Sequence, residues 1–260
     1  MKKFSALSLL VLFFVFISCK KEKDAPVQPT QPTNPSTSSS GLKIKFEAKV
    51  DTLPFVFGQN YTNANGDTFK LTTFKYYISN IKLTKTDNSV YTQPESYYLV
   101  DHSNAASTVL TLTNVPEGSY KSISFMLGVD SARNNSGAQT GALDPTKGMF
   151  WTWNSGYIFI KVEGTSPQSG SFAKGVTYHI GGYGGPDKTQ RNFNLSFGSS
   201  TAGVTNTSGA TINLISNVNE VFKSPTIINF FTDYDIATPG PAAKMIADNY
   251  ADMITFKNIQ

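Results

Sequence analysis

The chain has 260 residues, 22 of them basic and 18 acidic, with two histidines and one cysteine. A net charge of +4 at pH 7 over that length supplies no basic tract for a nucleic acid. A lone Cys19 excludes an internal disulfide, and 39% apolar residues are enough to build a core without one.

The N-terminus reads as an export address. Lys2 and Lys3 precede an apolar run over residues 6–17, too short to cross a bilayer as a mature helix. Ser18-Cys19 closes it, and a small residue before cysteine at this point resembles a bacterial lipobox, with Phe16 bulkier than the usual leucine. Residues 1–18 are therefore expected to be a lipoprotein signal peptide, and Cys19 the lipidated first residue of the mature chain. Losing Lys2 and Lys3 from 22 basic residues against 18 acidic ones leaves +2. Residues 19–41 follow as a tether, with Pro26, Pro29, Pro32 and Pro35 spaced by three in a Ser/Thr/Gln-rich run, a composition that stays extended rather than packing. The expected location is the bacterial outer membrane, facing the periplasm or the surface.

Folding is expected from Leu42 onward. Leu42, Ile44, Phe46, Ala48 and Val50 alternate with charged residues, the pattern of a half-buried strand. Residues 60–67 read as a loop. Residues 69–83 read as a strand whose apolar parity slips at Ser79-Asn80, which predicts a β-bulge. Asp87-Asn88-Ser89 is a hairpin-turn signal, and Tyr97 to Val100 the next strand. Strands are expected over 108–115 and 120–127, then a long polar loop over 128–146. Further strands are expected over 172–180, 193–197, 212–214 and 221–231. Only the segment after Pro239-Gly240-Pro241 looks helical, with Ala242, Met245, Ile246, Asn249 and Met253 at helical spacing before an extended tail at 254–256. Many short strands with one late helix predict an all-β chain, an antiparallel β-sandwich with one short C-terminal helix over residues 42–260.

The stretch G-M-F-W-T-W-N-S-G-Y-I-F-I-K-V-E-G (148–164) holds both tryptophans, Trp151 and Trp153, two residues apart and thus on one face of any strand. Such a pair fills a core or lines a site. Chemistry elsewhere is sparse. The folded part has no thiol, no G-x-S-x-G elbow and no Walker lysine behind the Gly181–Gly185 cluster, so a binding protein rather than an enzyme is expected. His179 ends a strand against a glycine-rich turn, a placement suited to a metal ligand or to a hydrogen-bonded strand histidine. His102 follows Asp101 at another strand end. Met149 offers a thioether to copper(I) or simply packs. Asp130, Asn134, Asn135 and Asp144 lack EF-hand spacing and read as solvated loop.

Several motifs together resemble one family. L-G-V-D (127–130), A-L-D-P-T-K-G-M-F-W-T-W-N-S-G-Y-I-F-I-K-V-E-G (142–164) and Y-H-I-G-G (178–182) are similar to the MbnP-like proteins. So are K-Y-Y-I-S-N-I-K-L (75–83), Y-Y-L-V-D (97–101) and N-V-P-E-G-S-Y (114–120), so that the likeness spans about residues 42–256. The resemblance implies an extracytoplasmic protein associated with copper, in which a tryptophan can be oxidised to kynurenine by a dihaem peroxidase-like partner and join histidines at the metal. Carried over by motif, His179 is the first ligand candidate, with His102 and Met149 beside it, and Trp151 or Trp153 the residue for modification. Where the resemblance implies further histidines near the C-terminus, this chain has Asp233 and Asp235. The expectation is a lipid-anchored copper-binding protein; the alternative is a metal-free surface or adhesion module for a glycan or protein ligand on the same sandwich.

Overall fold

A computed structural model describes residues 41–151 and 156–260. The expected signal peptide, Cys19 and most of the expected tether lie outside the described residues, as does Trp153. Residues Thr37–Gln260 form one compact unit.

Strand β1 (Leu42–Val50) follows its alternation, burying Leu42, Ile44 and Phe46 while Lys43 and Lys45 face water. The long β2 (Thr68–Lys85) is the spine of the larger sheet. Then come β3 (Tyr97–Asp101), β4 (Val109–Leu112), β5 (Gly118–Leu127), β6 (Ile160–Thr165), β7 (Gly175–Ile180), β8 (Arg191–Ser196), β9 (Thr211–Asn217) and β10 (Ile254–Ile259). The smaller sheet runs β10-β9-β1 with β4 also on β1; the larger runs β8-β5-β2-β6-β7, with β3 on the opposite edge of β2. Most pairings are antiparallel. The central β1–β9 pair is parallel, from Lys43↔Thr211 to Lys49↔Asn217.

The two sheets close over an aromatic core. Phe46 of β1 meets Tyr76 of β2 at 5.9 Å and Phe125 of β5 at 6.2 Å, both edge-on. Each such fully buried ring or aliphatic side chain contributes about 1.5–3 kcal/mol of transfer free energy. A polar contact crosses that core between the sheets: Tyr76 Oη pairs with Ser216 Oγ of β9 at 2.6 Å.

Strand β2 keeps its apolar residues inward by bulging twice. One register shift lies opposite Glu163/Gly164, where a Cβ on Gly164 would sit 2.2 Å from the Lys70 carbonyl oxygen. The other lies between Ser79 and Lys82, with Asn80 at φ 55°, where the parity slip predicted it. A bulge adds one residue and restores the facing of all that follow.

Two expected strands take other forms. Residues 221–231 build no strand: a 3₁₀ turn, Val218–Phe222, is capped by the Asn217 side chain, and an irregular segment follows. Its backbone is satisfied by a buried carboxylate instead, as Asp67 Oδ2 accepts from Phe230 N at 3.0 Å. Val221, Phe222, Ile228 and Phe230 still fill the core, so the apolar signal was burial and not strand. Phe172 is fully exposed in a turn, and the strand begins at Gly175.

The late helix is present as Pro241–Asn249, with Ala243, Ile246 and Ala247 buried, and the tail returns as β10. Among the described residues no helix is long and apolar enough to cross a membrane.

Candidate functional site

Between β5 and β6 the chain makes a long excursion over residues 128–159, and this excursion covers part of the larger sheet's outer face. Tyr77 of β2 faces it: its hydroxyl donates to the Ala142 carbonyl at 3.1 Å and its ring meets Tyr157 edge-on at 5.9 Å. Leu143, Met149, Trp151 and Tyr157 are buried there. The oxygen-rich residues of the excursion are structural. Asp130 caps the short helix Ser131–Asn135, Asp144 caps the 3₁₀ turn Pro145–Lys147, and the buried Asn134 accepts from Tyr157 N at 3.0 Å.

Trp151 sits in a two-residue hairpin, Phe150–Trp151 against Gly156–Tyr157. Its indole rests on the backbone of Gly181: a Cβ there would lie 2.7 Å from the ring and 2.4 Å from the Tyr157 carbonyl oxygen. Only glycine leaves that space. With Asn134, Tyr157, Tyr183 and Pro239, Trp151 lines a cleft of about 280 Å³, while remaining only 6% exposed. The tryptophan is thus both packed and at the edge of a cleft.

His179 lies on β7 with its side chain outward, because Val176, Tyr178 and Ile180 take the core side. Gly181, which seats Trp151, is two residues on, just past the end of β7. His179 Nε2 is 2.7 Å from Glu163 Oε1 on the neighbouring β6. Thr73 donates to Glu163 Oε2 at 2.7 Å, and Lys161 Nζ lies 3.4 Å from Oε1. Partial burial pushes the Glu163 carboxyl up, but the hydrogen bonds from Thr73 and His179 and the charge of Lys161 outweigh it and hold the group below its ordinary value. Lys161 also donates to the Gly148 carbonyl at 3.3 Å, tying this polar group to the turn just before the Phe150–Trp151 strand.

His102 is elsewhere. Its backbone pairs with Phe74, so its ring turns to the core side, stacked on Phe74 at 4.7 Å with 11° between planes. Its Nε2 is 3.2 Å from Tyr76 Oη, extending the polar chain to Ser216. Burial pushes its pKa down to about 4 against the opposing pull of Asp101. Asp101, Lys75, Lys161 and His179 share one register line across four strands. Three strand spacings are about 14 Å. His102, next to Asp101 and on the other face, therefore shares no ion with His179, whose metal–nitrogen bonds would be near 2 Å.

As a set, His179, His102 and Met149 do not fit one metal ion. Met149 is wholly buried, and among the described residues no group of three or more His, Cys, Asp or Glu is placed to hold a metal. His179 alone has the setting of a ligand, a strand-borne imidazole oriented by a carboxylate. Sequence reasoning missed Glu163. The signal was available in K-V-E, whose alternation puts Lys161 and Glu163 outward on the strand that pairs with the histidine, but the partner strand was not.

This fold and site define a class: a two-sheet β-sandwich with a histidine–carboxylate pair and a seated tryptophan on the outer face of its larger sheet. The sequence matches the MbnP family over residues 39–240, and the chain belongs to that family. Among solved structures, MbnP from Methylosinus trichosporium shares the fold with a TM-score of 0.51 at 15% identity, over 79% of this chain and 82% of that one. None of the curated proteins matches the sequence.

Proposed function

We propose that this protein is an extracytoplasmic, lipid-anchored member of the MbnP family that binds copper through His179 and does no catalysis of its own. The anchor is Cys19, freed by removal of residues 1–18, and the tether to residue 41 gives the sandwich reach from the membrane. Supporting the copper reading is one observation: an outward histidine, fixed by Glu163, two residues from the glycine that seats Trp151. Copper(I) accepts few ligands and suits imidazole. Trp151 is the described candidate for oxidation by a dihaem peroxidase-like partner.

Copper(I) titration of the chain from Lys20 to Gln260, which contains the whole compact unit, tests this reading. Tight binding lost in His179→Ala supports it; absent binding, or binding unchanged in that variant, sinks it. Intact mass of the protein purified from its native host reports whether a tryptophan is oxidised. A second reading rests on the cleft beside Trp151, whose walls include Tyr183 and Pro239 and which has the size of a small ring. On that reading the domain is a metal-free module, and quenching of tryptophan emission by a glycan, with no copper uptake, is the expected result.

A further inference from the structure

We infer that Glu163 is a positioning residue that commits His179 to its Nε2–H tautomer, so that Nδ1 is the nitrogen presented to a ligand. The assignment rests on the copper reading above only for what the ligand is. The hydrogen-bond chemistry stands independently of it.

An ionised carboxylate is acceptor-only, so the 2.7 Å contact between His179 Nε2 and Glu163 Oε1 places the proton on the imidazole nitrogen. Both carboxylate oxygens are held, Oε1 by His179 and Oε2 by Thr73, with Lys161 alongside. Glu163 and Lys161 are neighbours on one face of β6, and Thr73 and His179 come from the strands on either side. The carboxylate is thereby fixed from three strands rather than by a single rotamer. In the neutral ring one nitrogen is protonated and the other carries the lone pair. Nδ1 is that second nitrogen and makes no hydrogen bond among the described residues. A histidine whose far N–H is tied to a carboxylate is a better donor and a better oriented one. Lys161 extends the arrangement by joining the same carboxylate to the Gly148 carbonyl, and so to the hairpin that carries Trp151.

The test uses the metal-free chain from Lys20 to Gln260 and long-range ¹H–¹⁵N correlation of the imidazole. His179 is expected as the Nε2–H tautomer in the wild type. Glu163→Gln is expected to retain it, since the amide oxygen accepts from Nε2–H and its NH₂ can donate to Thr73. Glu163→Ala is expected to relax to mixed tautomers, with copper(I) affinity lowered about 10–100-fold and recovered in Glu163→Gln. A proton on Nδ1 in the wild type overturns the inference, and so does a Glu163→Ala variant with tautomer and affinity both unchanged. The expected tautomer with no copper uptake by the wild type supports the assignment and overturns the copper reading.

Discussion

His102 and His179 are the only histidines of the chain, and they lie on opposite faces of the same sheet. One is half-buried, stacked on Phe74 on the inner face, and the other is paired with Glu163 on the outer face. Their settings separate accordingly: His102 belongs to the packing of the sandwich, and His179 to the site proposed to bind copper.

The burial of His102 makes folding sensitive to acid. Its folded pKa of about 4 lies below the unfolded value near 6.5. Above pH 6.5 neither state binds the proton. Between 6.5 and 4 the unfolded state takes it up and the folded state does not, so stability falls as pH falls; below 4 the loss is complete. The difference corresponds to at most about 3 kcal/mol. Urea unfolding at pH 7 and 4.5 should show a drop of that order, and His102→Phe should flatten it. A slope that survives the substitution assigns the acid sensitivity to other groups.

Tyr76→Phe removes the hydroxyl shared by His102 Nε2 and Ser216 Oγ, leaving both without their partner inside the core. A loss of about 1–3 kcal/mol is expected in chemical denaturation. Copper titration should be unchanged, because the hydroxyl lies on the far side of the sheet from His179. Loss of copper uptake in a folded Tyr76→Phe protein would contradict that separation.

Gly181→Ala pushes a methyl group into the Trp151 ring and the Tyr157 carbonyl oxygen. Overpacking of this kind costs about 1–3 kcal/mol. A changed tryptophan emission spectrum should accompany the lowered melting temperature. Gly175→Ala, where nothing lies within 4 Å of the added Cβ, is the matched control and should leave both readings in place.

Asp130 gathers three bonds: it caps the helix Ser131–Asn135 through Arg133 N at 3.1 Å, accepts from Tyr97 Oη at 2.5 Å, and from Asn80 Nδ2 at 3.2 Å at the second bulge. Asp130→Ala should cost about 1–2 kcal/mol, the worth of a lost cap. Hydrogen exchange should rise selectively over residues 128–140. Uniform exchange at wild-type rates would show that the excursion does not depend on this carboxylate.

Much of the fold was legible because burial writes a period of two into a strand. In β1, Leu42, Ile44 and Phe46 mark the core side without ambiguity, and the parity slip at Ser79-Asn80 marks the bulge. Periodicity is silent where an apolar run is buried without being extended. Val221, Phe222, Ile228 and Phe230 are as apolar as a strand, yet their backbone groups are satisfied by the Asp67 carboxylate, by the Asn63 and Asn249 amides and by an Ile228–Phe222 bond rather than by a neighbouring strand.

For the site, the sequence by itself determined the family, the placement of His179 at a strand end and the local pairing of a tryptophan motif with a glycine-rich turn. Those are properties of short segments, set by alternation and by turn chemistry. Only the tertiary structure decided which residues meet. It turned His102 against Phe74, gave His179 to Glu163, seated Trp151 on Gly181 and buried Met149 away from water. The physical reason is that a sheet assembles residues distant in sequence by register and sorts them to one of two faces. A one-residue difference in position, Asp101 against His102, is enough to move a side chain from the outer face to the inner one.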